Sequence, residues 1–448
     1  MSADLARESA LELLRVVRVD DAYANLALPS ILRERRLDGR DAGFATELGY
    51  GTLRWQGFYD AILATCVTRP WEQVDASMKD VLRLGTHQLL MMRVPTHAAV
   101  DSSCNLARAT GAVGGATSRA GFVNAVLRKV SARTADEWAA ALGVDGPGEK
   151  DLAVRWSHPL WIVRAFAQAL ADRRSEVGEL LQADNVAARP SLVARRISQT
   201  QLLQIPGVQA GRWSPVAGTL EEGIPEAIPE IRNGSVGVQD EGSQLVTLAL
   251  TRVPVLSDEG RWLDMCAGPG GKAALLESIA FHQGVHLVAV EPHAHRAQLV
   301  RQSLGEDSDA EVLVADAVTQ PWEGHFDRVL VDVPCTGLGA LRRRPESRWR
   351  RRLSDVAELA PVQRALLNAA VAAVAPGGVI AYVTCSPHFA ETELVISDIL
   401  KQHPQLRLLD APSFLPEVAD AVRGSFVQLW PHRHGTDAMF LALLQRPI

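Results

Sequence analysis

Two cysteines end two apolar segments that predict buried strands. Cys335 ends the run VLVDVPC and Cys385 ends the run VIAYVTC, and turn-forming residues follow both. Another predicted strand, residues 261–266, leads into a glycine-rich segment, Cys266–Lys272, with the sequence CAGPGGK. Ligands of open α/β sheets bind at the carboxyl ends of the strands. We therefore expect two thiols and a glycine-rich loop to face one crevice, which suggests thiolate chemistry beside a nucleotide-like cofactor.

The glycine-rich segment fits neither of two common nucleotide-binding motifs. A phosphate-binding P-loop needs a glycine six residues before its lysine and a serine or threonine after it. Cys266 and Ala273 occupy those places here. The dinucleotide fingerprint is met at Gly268 and Gly270, but its third position is Ala273, which is a permitted variant at best. What the segment does predict is a backbone turn that can approach a ligand closely.

Two acidic residues end the next two predicted strands. Glu291 lies roughly 20 residues beyond the loop, where an acid can hold ribose hydroxyls. Asp316 ends the following strand, where a carboxylate can accept a hydrogen bond from an adenine amino group. The loop and the two acids together suit S-adenosylmethionine, which has no pyrophosphate that needs a cationic clamp. The alternative is that each acid only caps the helix that follows its strand.

The cysteine pair is open to three interpretations. A single buried cysteine is usually structural, and a redox pair is possible although the two thiols are far apart in the sequence. In the third, one thiolate is a nucleophile and the second assists proton removal. Methylation of carbon 5 of a pyrimidine needs this arrangement, because thiolate addition at carbon 6 makes carbon 5 nucleophilic. Asp332, three residues before Cys335, can hold the N3 and amino edge of cytosine and stabilise the adduct.

The composition indicates a soluble, globular protein of two or three domains. The chain has 448 residues, of which 47% are hydrophobic and 22% charged. We see neither a membrane span nor a signal peptide, and the five scattered cysteines predict no disulfide framework and no zinc site. These features predict a cytoplasmic protein without a membrane or metal partner. The net charge of −6 means that any nucleic acid must be held by a local basic surface.

Three domains are predicted along the chain. Residues 1–145 have the apolar spacing of helices and predict an all-α domain, which ends in a glycine-rich linker at 143–148. Residues 150–240 are mixed and predict a small α+β connecting region that contacts RNA, with a surface loop over 215–229. Residues 241–448 predict a Rossmann-like α/β domain with a doubly wound sheet.

The prediction of a doubly wound sheet rests on the alternation of strand-like and helical segments along the sequence. Helical segments separate five strand-like runs, which lie near residues 261–266, 286–291, 311–316, 326–334 and 378–385. A further strand is predicted over residues 439–444.

Three motifs in the last domain resemble those of one enzyme family. DMCAGPGGK at 264–272, DVPCTG at 332–337 and TCSP at 384–387 are similar, in the same order, to the signature motifs of the RNA 5-cytosine methyltransferases named for Nol1, Nop2 and Sun. The family often has Pro-x-Glu-Asn after Thr-Cys-Ser, whereas here Pro387 is followed by HFAET. The loop after the second thiol therefore departs from the family pattern.

The N-terminal region resembles a second family. Residues 21–28, 40–54 and 123–128 are similar to the helical domain of the antitermination factor NusB. That fusion is typical of bacterial enzymes that methylate a cytosine of 16S ribosomal RNA. The resemblance implies an RNA-binding helical domain, S-adenosyl-L-methionine as the cofactor, and small-subunit ribosomal RNA or its assembly intermediate as the partner. It leaves the oligomeric state and the target cytosine open.

The resemblance also implies roles for individual residues. The nucleophile would be Cys385, which forms a covalent adduct at carbon 6, while Cys335 helps to release the product; the residues alone do not rank the two thiols. The implied cofactor contacts are Cys266, Ala267, Gly268, Pro269, Gly270, Gly271, Lys272, Glu291, Asp316 and Asp332. Two competing functions are a dinucleotide-dependent dehydrogenase and an RNA-binding protein with a decayed enzyme domain. The imperfect fingerprint and the cysteine pair argue against the first, and the intact Asp332 and thiols argue against the second.

An arginine-rich run follows the first of the two thiols. Residues 342–352 contain seven arginines and Trp349. We expect the arginines to grip phosphates and Trp349 to stack on a base. The alternative is a solvated helix face with Trp349 docked in the core. A second basic cluster, at residues 33–40, is either an RNA contact or a polar loop.

Overall fold

The chain divides into two units of densely contacting residues. A computed structural model describes residues 4–112, 115–255 and 260–448. The helical unit consists of Met1–Val186 and Leu341–Arg350, and the sheet unit consists of Ala187–Ala340 and Arg351–Ile448. The predicted three-domain division stays a prediction.

Helices form all the regular structure of the first part of the chain that the structure describes. They are α1 (Leu5–Val19), α2 (Ala24–Glu34), α3 (Gly39–Cys66), α4 (Ala76–Leu90), α5 (Thr96–Ala109), α6 (Ala116–Val130), α7 (Ala135–Leu142), α8 (Glu149–Arg155), α9 (Leu160–Leu170) and α10 (Val177–Asp184). Short 3-10 turns occur at Trp71–Gln73 and Ala171–Glu176.

Helical spacing of apolar residues explains the core of this unit. Along α1, Ala10, Leu13, Leu14 and Val17 fall on one face and are buried. Gly143 ends α7 in the left-handed conformation, at φ 66°, which glycine adopts without strain. The predicted helical character of this region is therefore confirmed, whereas the linker at 143–148 stays a prediction, because helices of the same unit continue to Asp184. The predicted break at 111–115 lies partly outside the described residues.

A small antiparallel sheet opens the sheet unit. Its elements are β1 (Ser191–Ala194), α11 (Gln199–Leu202), β2 (Val208–Ala210), β3 (Ala217–Leu220), α12 (Pro229–Arg232) and β4 (Val236–Val238). The strand order is β2-β3-β1-β4. The predicted surface loop over 215–229 is wrong at β3, because Ala217 and Leu220 are buried and β3 pairs with both β1 and β2. Four residues are too few for a period of two to reveal such a strand.

The main sheet follows with its helices. The elements are α13 (Glu241–Arg252), β5 (Arg261–Asp264), α14 (Gly271–Gln283), β6 (His286–Val290), α15 (Ala294–Leu304), β7 (Glu311–Leu313), β8 (Phe326–Asp332), α16 (Ser347–Arg350, in the helical unit), α17 (Leu353–Ala373), β9 (Val374–Thr384), α18 (Glu393–Gln402), β10 (Arg407–Leu408), β11 (Val422–Arg423), β12 (Phe426–Gln428), α19 (Pro431–His434) and β13 (Phe440–Gln445).

The strand order of the main sheet is that of a doubly wound α/β fold. It runs β11-β12-β13-β9-β8-β5-β6-β7, with β10 pairing with β13. The pairs from β9 through β8, β5 and β6 to β7 are parallel, and β13 is antiparallel to β9. All the predicted strands of this domain are confirmed with small shifts at their ends. Parallel pairing places the carboxyl ends of β5, β6, β8 and β9 at one edge of the sheet.

Within residues 4–112, 115–255 and 260–448, no helix is both long enough and apolar enough to cross a membrane.

The arginine-rich run does not present all its side chains to solvent. Arg348 is fully buried in the helical unit, where it donates to the carbonyls of Arg54 at 3.0 Å and Asp184 at 2.7 Å and to Asn185 Oδ1 at 2.6 Å. Burial lowers its pKa to about 9. The expectation that this arginine grips phosphate is wrong, because its guanidinium instead satisfies buried oxygens.

The other residues of the run differ in whether they pack against the protein or are exposed to solvent. The ring of Trp349 lies so close to Gly57 on α3 that a β-carbon at Gly57 would overlap it. Arg350 pairs with Asp21 at 3.0 Å. Arg343 and Arg344 are exposed, as is Arg352 in the sheet unit. The run therefore joins an internal anchor to a set of exposed cations. Trp349 packs one edge against α3 but is 37% exposed, so the alternative that docks it in the core is not borne out.

Replacing Arg348 should destabilise the helical unit. Arg348→Ala leaves a cavity and several buried oxygens without a donor, so we expect a loss on the order of 3 kcal/mol or more in the free energy of unfolding. Urea unfolding followed by tryptophan fluorescence measures it. Arg351→Ala is the control, because this half-exposed side chain pairs with Asp355 at 3.7 Å, and its loss should cost less than about 1 kcal/mol. Equal effects of the two substitutions would contradict the anchoring role.

Candidate active site

The two predicted thiols meet at the carboxyl ends of β8 and β9. These strands are parallel neighbours, with Asp332 opposite Val383, and each continues into a loop that carries one cysteine. The Sγ atoms of Cys335 and Cys385 are 3.4 Å apart. All five cysteines are free thiols, so this contact is a hydrogen bond between two sulfur atoms. The structure therefore brings the two predicted thiols together at one edge of the sheet.

The surroundings of the two thiols make them chemically unequal. The hydrogen bond from Cys335 lowers the pKa of the Cys385 thiol, and the Lys272 cation acts in the same direction, against burial and the charge of Asp332. The same hydrogen bond, together with burial, raises the pKa of Cys335 well above its usual range, and the nearby Glu391 adds to that rise. Cys385 is therefore the thiol of the pair that ionises more readily, with Cys335 as its hydrogen-bond donor.

Lys272 and Asp332 form an ion pair beside the thiols. Lys272 lies at the start of α14, and its Nζ is 2.8 Å from Oδ2 of Asp332 at the end of β8. Burial lowers the pKa of the Lys272 ammonium, but Asp332 outweighs burial and the net shift is upward. Lys272 stays charged, so the pair can orient a polar substrate edge and stabilise a nearby thiolate at the same time.

Asp264 is a buried acid that the sequence reasoning did not single out. It ends β5, is almost fully buried, and accepts a hydrogen bond from the backbone N of Cys266 at 3.2 Å. Burial, together with the neighbouring Asp332 charge, raises its pKa to about 7. Burial also raises the pKa of the Cys266 thiol well above its usual range. Cys266 is therefore a neutral thiol that lines the loop, and it is not a third nucleophile.

The glycine-rich loop is shaped for close backbone approach. Gly270 has φ 114°, a conformation that residues with side chains rarely adopt, and it is the N-cap residue of α14. At Gly268 a β-carbon would overlap the Glu291 carboxylate. Arg296 donates to the Gly268 carbonyl at 2.6 Å, and Ser303 Oγ donates to the Pro269 carbonyl at 3.1 Å. Residues of α15 thus hold the loop, and neither was predicted, because exposed polar residues on a helix give no signal of this role.

The two acids differ in their surroundings. Glu291 directly follows β6, is buried, and accepts from the backbone N of His293 at 3.0 Å. Asp316 lies beyond the end of β7, is exposed, and accepts from the backbone N of Val318 at 2.9 Å. Each acid therefore accepts a bond within a local turn, but neither caps a helix: α15 has no side-chain cap, and β8 is the next element after β7. Both also lie at strand ends of the loop-bearing edge, so their ligand roles stay predictions.

The sequence analysis also did not identify Glu391, a buried acid next to the segment that carries Cys335. Glu391 lies in the loop after β9 and is fully buried. Its oxygens accept from Thr336, which follows Cys335, and from Gln363 on α17. The only sequence signal was an acid six residues after Cys385, in the segment that departs from the expected motif.

Over the described ranges, no group of three or more His, Cys, Asp or Glu is placed to hold a metal ion.

The fold and the site define a methyltransferase of the doubly wound class that is linked to a helical domain. Residues 253–445 match the family described as 16S rRNA methyltransferase RsmB/F, and residues 4–132 match the NusB family. A Pseudomonas syringae protein named ribosomal RNA small subunit methyltransferase B is 33% identical, covering 90% of this chain and 88% of that protein. The chain belongs to the RsmB/F family of methyltransferases and carries a NusB-family domain.

Further relatives extend the match over the full length. A Bacillus subtilis protein, named as a probable ribosomal RNA small subunit methyltransferase B, is 30% identical and covers 100% of both chains. A Mycobacterium tuberculosis protein that carries the provisional name of methyltransferase is 47% identical, over 99% of this chain and 97% of that one.

Solved structures share the fold. PH0851 superposes with a TM-score of 0.80 at 20% identity, covering 100% of this chain and 99% of that chain. NSun6 from Pyrococcus horikoshii with SFG gives 0.55 at 16% identity, covering 63% of this chain and 97% of that chain.

Removing the cation beside the thiols should make Cys385 ionise at higher pH. Lys272→Met removes a charge that stabilises the thiolate, so the pH profile of Cys385 alkylation by iodoacetamide should move upward. Peptide mass spectrometry measures the rate at each pH. Lys401→Met is the control, since Lys401 is 73% exposed and pairs with Asp398. An unchanged profile, or faster alkylation of Cys335 than of Cys385 in the unaltered protein, would contradict the assigned ionisation.

Proposed function

We propose that this protein transfers a methyl group from S-adenosylmethionine to carbon 5 of a cytosine in RNA. The observation that carries the proposal is the pair of thiols 3.4 Å apart, next to the Lys272–Asp332 ion pair. One ionised thiol and one thiol donor at a single position are what addition at carbon 6 and later release require. A dehydrogenase has no use for this pair.

The residues of the loop-bearing edge fit the cofactor. The backbone of Cys266, Ala267, Gly268, Pro269, Gly270 and Gly271 turns at the end of β5 with no room for a side chain at Gly268. Glu291 would hold the ribose, Asp316 the adenine amino group, and Lys272 and Asp332 the end nearest the thiols. When bound, S-adenosylmethionine supplies an electrophilic methyl group on a sulfonium.

The chain's own residues would do the remaining chemistry. The Cys385 thiolate adds to carbon 6 of cytosine, forming a C–S bond, and the electron pair of the C5=C6 double bond makes carbon 5 nucleophilic. The Lys272 ammonium, oriented by Asp332, would donate a hydrogen bond to N3 at the ring edge, which offsets the negative charge that the addition creates there. After methylation, the proton on carbon 5 leaves toward Cys335. The C5=C6 bond re-forms and the C6–S electrons return to Cys385.

Ribosomal RNA of the small subunit is the proposed substrate, as free RNA or in an assembly intermediate. The support is that full-length relatives carry names of small-subunit ribosomal RNA methyltransferases. Exposed cations that could contact its phosphates are Arg343, Arg344 and Arg352. Enzymes that act on a base take it out of its stack, so the target cytosine would enter the site splayed out. The proposed compartment is the cytoplasm.

The two cysteine variants should fail differently. Cys385→Ala should form no adduct and no 5-methylcytosine, because carbon 6 receives no nucleophile. Cys335→Ala should still add and methylate but stall before release, leaving the protein linked to RNA. A denaturing gel with labelled 16S ribosomal RNA shows the linked species as a slow band. Cys104→Ser is the control, since this buried thiol donates to the Ala120 carbonyl and a hydroxyl can replace it.

The outcomes of the gel separate the possibilities. A slow band with Cys385→Ala but not with Cys335→Ala would reverse the two roles. Unchanged methylation in both variants would exclude the thiolate mechanism.

Replacing Asp316 should weaken cofactor binding. Asp316→Asn keeps an oxygen for the Val318 backbone N but turns a donor toward the adenine amino group. The loss of a charged hydrogen bond predicts binding that is about tenfold weaker, or more. Calorimetry with S-adenosylmethionine measures it, and Asp309→Ala, a change at an exposed acid seven residues earlier, is the control. Equal affinity of Asp316→Asn and the unaltered protein would rule out this adenine contact.

A further inference from the structure

A buried hydrogen-bond cluster holds the segment that carries Cys335. The backbone N of Thr336 donates to Glu391 Oε1 at 2.8 Å, and Thr336 Oγ1 donates to Oε2 at 2.5 Å. Gln363 Nε2 donates to Glu391 Oε1 at 3.1 Å and to the Pro334 carbonyl at 3.0 Å. The residues on both sides of Cys335 are therefore held by one carboxylate and one amide.

The cluster also reaches the other thiol. Thr336 Oγ1 is 3.2 Å from Ser386 Oγ, and Ser386 follows Cys385. The hydroxyl of Tyr382, on β9, donates to the main-chain carbonyl of Glu391 at 2.7 Å. The segments after β8 and after β9 are thus joined through Glu391, and their relative position sets the distance between the two sulfur atoms.

Burying this carboxylate would be costly without its donors. Glu391 and Gln363 are both 0% exposed, and a buried charge persists only where hydrogen bonds compensate for lost water. Three donors face Glu391, two of them from the residue next to Cys335. An apolar pair of similar volume could fill the same space, so packing alone does not explain a carboxylate here.

We propose that Glu391 and Gln363 are positioning residues that hold the Cys335 thiol against Cys385 and so set the rate at which the covalent adduct is resolved. The inference rests on the proposed function. Once Cys385 is bonded to carbon 6, the Cys335 thiol no longer faces a thiolate and gives its proton to solvent. Resolution then breaks the C5–H and C6–S bonds: the C5 proton passes to the Cys335 thiolate, the C5–H pair rebuilds the double bond, and the C6–S pair returns to Cys385. Addition needs only Cys385, so a displaced Cys335 should slow release and spare addition.

Glu391→Gln tests the inference with little change of shape. The amide oxygen can still accept from Thr336 N and Gln363 Nε2, but its NH2 group then faces Thr336 Oγ1. That hydroxyl must stop donating to residue 391, so Thr336 and the neighbouring Cys335 should shift. We expect single-turnover methyl transfer within about twofold of the unaltered enzyme, whereas steady-state turnover falls about tenfold or more because release is slowed. The protein–RNA adduct should accumulate, as with Cys335→Ala. Glu393→Gln is the matched control, because this acid lies two residues further on and pairs with Arg423.

Two more substitutions keep the test decisive if Glu391→Gln does not fold. Thr336→Val removes one hydroxyl of the cluster, and Gln363→Leu removes both amide donors; each should also accumulate adduct, Thr336→Val to a smaller extent. Circular dichroism and melting temperature check the fold of each variant. Equal loss of single-turnover and steady-state rates, without adduct, would show that the cluster is merely structural and would overturn the inference.

Failure of the proposed function would look different. In that case the unaltered enzyme makes no 5-methylcytosine and Cys335→Ala traps no RNA. If Cys335→Ala traps RNA and the cluster variants do not, the function stands and the positioning role is rejected.

Discussion

One hydrogen bond between two sulfur atoms organises the site, and the parallel pairing of β8 with β9 imposes it. The pairing brings Cys335 and Cys385 together at the carboxyl edge, where both are partly buried. Two thiolates 3.4 Å apart in a poorly solvated place would repel strongly, so at most one can ionise. Cys385 receives the hydrogen bond from Cys335 and lies near the Lys272 cation, and both lower the pKa of its thiol.

The elements around the pair limit where the sulfur atoms can be. Gly339 donates its backbone N to the Cys385 carbonyl at 2.8 Å and accepts from the backbone N of Ala438 at 2.9 Å. A β-carbon at Gly339 would overlap both neighbouring carbonyls. Three segments therefore meet at one glycine, which ties the loop after β8 to the loop after β9 and to the approach to β13. The acids have a comparable constraint, since burial and the charge of Asp332 raise the pKa of Asp264 to about 7.

The arginine-rich run shows that one short segment can have two roles. Arg348 gives its donors to buried oxygens of the helical unit, whereas Arg343, Arg344 and Arg352 stay exposed. Counting charges along the chain cannot separate these roles, because a guanidinium carries the same charge in both places. Only the oxygens around each guanidinium distinguish an internal anchor from a surface that can meet phosphate.

Local patterns determined much of this protein. The spacing of apolar residues predicted the helices of the first part of the chain and the strands of the main sheet. The positions at the ends of those strands identified Cys335, Cys385, Glu291 and Asp332 as site candidates. These features depend on near neighbours, which a sequence displays directly. Only the tertiary structure decided the rest: the 3.4 Å contact between the thiols, which of them ionises, and the buried Glu391 behind them. Those properties depend on burial and on partners that lie tens of residues away in the chain, so no local pattern encodes them.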